Sequence, residues 1–199
     1  MLGFTEPGKT LSPEERKFAV DYMEQTRKGL LMDIKGLSEQ QLNFKPSPQK
    51  WSIAQCVEHI AIAEIALMKI LQESLDQPAD PSKRAEITAS DTTVLRVVTD
   101  RSHKSTAKEF LQPDDKFADY NAALQGFIDR RNKNISYIIS TQDDLRNHFC
   151  SHAIMGRIDG FQYLLLISAH CKRHTLQIEE VMADPNFPGP KKRSPTAGL

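Results

Sequence analysis

Apolar residues recur at three- and four-residue intervals over four long stretches, and this spacing predicts four amphipathic helices. The first opens at Ser12-Pro13-Glu14-Glu15. Ser12 can cap, Pro13 suits the first turn, and Glu15 completes a capping box. Phe18, Tyr22, Thr26, Leu30 and Ile34 follow at helical spacing, and Gly36 ends the element. The second starts with the same chemistry at Ser52-Ile53-Ala54-Gln55. It carries Ile53, Val57, Ile60, Glu64, Leu67 and Leu71, with Ala61, Ile65 and Met68 on its far side, so much of it should be buried. Pro78 and Pro81 close it. Tyr120, Leu124, Phe127, Arg131, Ile135 and Ile138 mark the third helix, and Phe161 to Met182 the fourth.

The connections differ sharply in length. Pro46 and Pro48 make the stretch before the second helix a loop. Residues 76–113 are rich in Asp, Ser, Thr and Lys, relieved only by Val94-Leu95 and Val97-Val98. They read as a long crossover with one short helix, a connection expected of a bundle that is not plainly up-down. Residues 141–160, with His148, His152 and Gly156, read as irregular. No strand alternation and no repeat is visible. The expected fold is therefore an all-α four-helix bundle with a long crossover, one domain over residues 12–183. Residues 1–11 form an N-terminal arm, and 184–199, with Pro185, Pro188, Gly189, Pro190, Pro195 and Gly198, a flexible C-terminal tail.

Composition narrows the function. A chain of 199 residues suits one domain with a proper core. Lys+Arg and Asp+Glu balance at 26 each, so no net field draws it to nucleic acid or an anionic membrane. Lys191-Lys192-Arg193 belongs to a solvated tail. No apolar run reaches the ~18–20 residues of a membrane span. The first residues show no signal-peptide pattern, and three cysteines (Cys56, Cys150, Cys171) make no disulfide framework, so a reducing cytoplasm is expected.

The candidate chemistry lies in the fourth helix. His170 and His174 are one turn apart and can reach one metal ion. With ~100° per residue, Tyr163, Ile167, His170, Ile178 and Val181 fall within about 40° of His174, on the core-facing side. Two polar rings on that stripe need a metal or ordinary hydrogen bonds to satisfy them. The pattern alone is common, and Cys171 stands where zinc proteases of the H-E-x-x-H type carry their Glu. In a bundle core a third ligand comes from a facing helix, and His59, flanked on its face by Ala63 and Ala66, is the candidate. Three neutral imidazoles with no fourth protein ligand leave an open position and favour later first-row ions. Such binding should weaken below about pH 6.5, where free imidazoles take up protons.

Other residues compete. His148 and His152 are also four apart, but on a loop this spacing puts them on no common face. Cys56 and Cys171 read as small buried hydrophobes. Trp51 reads as a packing residue ahead of the second helix, with a place on a pocket rim as the alternative. Arg131 interrupts an apolar stripe, either as a snorkelling edge residue or as an anion contact in a pocket. His152 is the other pocket candidate. No carboxylate is placed as a convincing general base, so no catalytic side chain is assigned.

Two segments carry a family resemblance. Trp51-Ser52-Ile53-Ala54-Gln55-Cys56-Val57-Glu58-His59-Ile60 resembles the W-S-x-x-x-x-x-x-H-(L/I) segment of the DinB-like superfamily, and His170-Cys171-Lys172-Arg173-His174-Thr175-Leu176-Gln177-Ile178 resembles its terminal H-x-x-R-H-x-x-Q-I helix. The similarity spans roughly residues 12–182 and is nearest to the YfiT-type group of metal-dependent hydrolases. It implies an up-down-down-up bundle and a metal, zinc or nickel, on His59, His170 and His174. It also implies a small-molecule substrate, in some relatives a low-molecular-weight thiol such as bacillithiol or mycothiol, and in many members a homodimer. Relatives often carry His-Pro then Gly before the last helix, where this chain has His152-Ala153 then Gly156. The rival expectations are a metal-binding bundle without catalysis and a helical protein-interaction module.

Overall fold

The computed structural model describes residues 10–102, 106–114 and 116–189. Four long helices dominate: α1 (Pro13–Ile34), α3 (Ile53–Leu75), α5 (Tyr120–Ser140) and α6 (Gly160–Met182). Two shorter ones, α2 (Glu39–Leu42) and α4 (Asp91–Thr99), lie in the connections. The predicted starts have a local cause. Ser12 accepts from the Glu15 backbone while the Glu15 carboxylate accepts from the Ser12 N–H, and Ser52 and Gln55 do the same at the head of α3. Asp159 and Gln162 form a third such box on α6. At the end of α1 the chain turns through Gly36 at φ 74°, a conformation that a side chain disfavours.

α3 packs on α5 and α6, and α1 packs on the same two helices. The order around the bundle is thus α1, α5, α3, α6, with α1 diagonal to α3. Cross-contacts fix the directions. Arg27 near the C-terminal half of α1 bonds Asn132, and Arg16 near its start bonds the Ile138 carbonyl, so α1 and α5 are antiparallel. Glu58 early in α3 meets Lys116 ahead of α5, and Glu64 meets Arg131, so α3 and α5 run parallel. His59 faces His174 while Leu71 reaches Gly160, so α3 and α6 are antiparallel. The result is up-down-down-up. The crossover, as expected, holds one short α-helix, α4, which lies on α6. No described helix is long and apolar enough to cross a membrane.

Four regions depart from the sequence reading. Residues 149–159 are a hairpin, β1 (Phe149–His152) and β2 (Gly156–Asp159), in antiparallel register with Cys150 opposite Ile158. Four-residue strands are too short to show alternation, and Gly156 at φ 69° supplies the left-handed position of the tight connection. Between Gly36 and Trp51 the expected loop contains α2, capped by Ser38 and Gln41. The tail does not begin loose at 184: Phe187 packs edge-on against Phe44 at 5.6 Å, and Gln41 donates to the Pro188 carbonyl at 2.9 Å. Likewise Leu11, assigned to the N-terminal arm, is buried in the core. Residues 1–9 and 190–199 of the arm and tail lie outside the described residues.

Arg131 is neither an edge residue nor a pocket contact. Its side chain is fully buried and ion-paired with Glu64, and it donates to the Met23 carbonyl at 2.8 Å and to Thr26 Oγ1 at 2.7 Å. Asn134 donates to the second Glu64 oxygen at 2.8 Å. Burial opposes the guanidinium charge, but Glu64 outweighs it and holds Arg131 protonated. A charge buried this deeply persists because a partner and hydrogen bonds replace water.

Candidate metal centre

His59 stands two turns into α3, and His170 and His174 stand one turn apart on α6. The antiparallel packing of those helices brings all three rings together. His59 Nε2 lies 3.0 Å from His174 Nε2 and 3.3 Å from His170 Nε2. All three offer ligand atoms within 4.8 Å of one another, with His59 and His174 buried and His170 partly exposed. Three nitrogens bound at ~2.05 Å around a tetrahedral ion would stand about 3.3 Å apart. The spacing suits such an ion.

The outer ring nitrogens of His59 and His174 are also engaged. The Leu111 carbonyl lies 2.6 Å from His59 Nδ1, and a carbonyl can only accept, so His59 carries its proton there. His174 Nδ1 lies 2.9 Å from Gln177 Oε1 and donates to it. Both neutral rings then turn bare Nε2 lone pairs toward each other. A cation between them would satisfy both. A proton is disfavoured in that role: burial lowers the His59 pKa, against the pull of Leu111, and lowers His170 to about 3, aided by His59 and Arg173. Burial, then His170 and His59, hold His174 well below its ordinary value. Fixing a ring through its outer nitrogen is how proteins orient histidine ligands.

Trp51 forms a wall of this cluster, its ring centroid 4.8 Å from that of His59 and 6.0 Å from that of His174. Both sequence readings of Trp51 hold: it packs against the apolar core cluster around α3 and stands on the rim of the histidines. Leu111, in the crossover turn Glu109–Leu111, and Gln177 received no role from the sequence. Gln177 had a local signal, three residues past His174 on one face. Leu111 had none, because a backbone carbonyl acts without regard to its side chain.

The other candidates lie elsewhere. His152 Nδ1 accepts from the Ile154 and Met155 N–H groups and caps the hairpin turn, so it is not a member of the cluster. His148 bridges the Asp144 and Gln77 carbonyls at 2.8 and 2.9 Å, joining the hairpin to the end of α3. Cys56 and Cys171 are buried and unpaired, with burial pushing their thiols up to about 12 and about 11. They are packing residues, and Cys171 is directed at the Thr26 carbonyl.

The architecture and the cluster define an up-down-down-up four-helix bundle with three convergent imidazoles at one end. Residues 22–178 match the family model of the DinB superfamily, and the chain belongs to that superfamily. It is 27% identical over 149 residues to YuaE, an uncharacterized protein of Bacillus subtilis (strain 168), covering 75% of this chain and 88% of that one. The fold is similar to the solved structure of YfiT from Bacillus subtilis, described as a probable metal-dependent hydrolase with an unusual four-helix bundle topology. That likeness has a TM-score of 0.55 at 16% identity and covers 91% of this chain and 93% of that one.

Proposed function

We propose that this protein is a metal-dependent enzyme that holds a divalent transition metal, zinc or nickel, on His59, His170 and His174, and acts on a small molecule by hydrolysis or by transfer of a low-molecular-weight thiol. The observation that carries this reading is the pair of bare Nε2 atoms 3.0 Å apart, each backed by an acceptor on its outer nitrogen. YfiT, similar in fold, supports it by its description. When bound, such an ion supplies a Lewis acid that can bring a water or thiol toward ionisation at neutral pH. The chain's own residues do the rest. The Leu111 carbonyl and Gln177 hold two rings in register, Trp51 screens them from water on one side, and partly exposed His170 marks the open approach.

Elemental analysis of protein purified without an affinity metal tests the reading, beside the His170→Ala variant. Wild type should carry close to one equivalent of ion and the variant almost none, with helical content retained. Equal metal content in both would overturn the site. Turnover of ester or thiol-acceptor probes by the loaded protein, lost on chelation, is expected of the enzyme; a loaded protein inert to all such probes would be a metal-binding bundle without catalysis.

A further inference from the structure

The Gln177 side chain has two ends of similar shape and opposite polarity. Its oxygen faces two donors, His174 Nδ1 at 2.9 Å and Arg101 Nη1 at 3.4 Å. Arg101 lies at the end of the crossover helix region, and Glu180 holds it through two bonds of 2.6 and 2.7 Å. Arg173, one residue before His174, donates to the Val98 and Asp100 carbonyls and pins that same stretch to α6. A guanidinium can only donate, so it selects the oxygen end of the amide. With the oxygen fixed, His174 must carry its proton on Nδ1.

The alternative is not neutral. If the amide turned over, its NH2 would face Nδ1, and His174 would move its proton to Nε2. That proton would lie on the 3.0 Å line to His59 Nε2, whose lone pair would accept it. The cluster would then satisfy itself by an internal hydrogen bond, with a ligand lone pair consumed. We infer that Gln177, aimed by Arg101 from the crossover, is a positioning residue that keeps His174 in the Nδ1–H form and its Nε2 lone pair free. The consequence for metal affinity rests on the metal-centre reading; the tautomer does not.

The experiment is carried out on the full chain. Ring ¹⁵N shifts of chelator-treated protein at pH 7.5 read the tautomer without any metal. Wild type should show His174 as Nδ1–H, Arg101→Met should shift it toward Nε2–H, and Gln177→Glu in the Arg101→Met background should restore Nδ1–H, because a carboxylate has no donating end. Zinc titration of the same three proteins should follow the same order. Arg101→Met should bind roughly 10- to 100-fold more weakly, the range typical of lost outer partners of histidine ligands, and the double variant should recover. The inference is overturned by Nε2–H in wild type, by an Arg101→Met protein that keeps the wild-type tautomer, or by a double variant that stays unrestored. Failure of wild type to bind zinc would instead refute the metal reading, with the tautomer still decided by the ¹⁵N shifts.

Discussion

A single arginine shows how far one position can be read. Arg131 breaks an apolar stripe at helical spacing, and Glu64 does the same on the second helix, so both fall on core-facing sides. Their pairing spans 67 residues, and neither helix alone contains it. The structure makes them the charged centre of the bundle, with Arg131 Nε lacking a partner. Removing one member leaves an uncompensated buried charge. Arg131→Met should therefore lower the unfolding free energy by about 3–5 kcal/mol, whereas Arg131→Met combined with Glu64→Leu should cost clearly less. Urea titrations of the two variants check this, and a double variant as unstable as the single would contradict it. His59, His170 and His174 were more legible than Arg131. Two of them share a helix face, and the third sits in a second recognisable segment. Their outer partners were not, since Leu111 acts through its backbone and Arg101 reaches across 76 positions to Gln177.

Helices announced themselves wherever their causes were local. The boxes at Ser12 and Ser52 place the starts of α1 and α3 within three residues of chain, and the observed helices begin at Pro13 and Ile53. Elements whose formation depends on distant packing stayed hidden. The hairpin forms because Cys150 and Ile158 pair and bury against the bundle, and α2 is a single short turn that carries Phe44 toward Phe187. The cap of α3 bears on the site, since that helix packs on α5 and α6 and carries His59. Ser52→Ala leaves one backbone donor of the first turn without its acceptor and should cost about 1 kcal/mol. Thermal melts should show this loss without a change in helical content at low temperature.

Across the whole molecule the crossover is not a passive link. It supplies the Leu111 carbonyl to one ring and Arg101 to the partner of another, so a cluster built on α3 and α6 is complete only with Val98, Arg101 and Leu111 in place. The cluster also shapes the response to acid. Free imidazoles titrate near 6.5, while burial keeps those of the folded, metal-free protein neutral to lower pH, His170 down to about 3. As pH falls below about 6.5 the unfolded chain takes up protons that the folded chain refuses. Stability is thus fully present above that value and lost progressively below it, by at most about 1.4 kcal/mol per pH unit for each such ring. Urea midpoints at pH 7.5 and 5.5 should differ in this direction, and the difference should shrink in His170→Ala. The same depression moves the acid limit of ion binding by the folded protein below the 6.5 that ordinary histidines predict.

The indole beside the cluster is the only one in the chain. Because its ring rests on His59 and near His174, the emission excited at the red edge of the ultraviolet band, where the four tyrosines do not absorb, arises at this one spot. The molecule carries a built-in optical gauge of whatever those imidazoles hold.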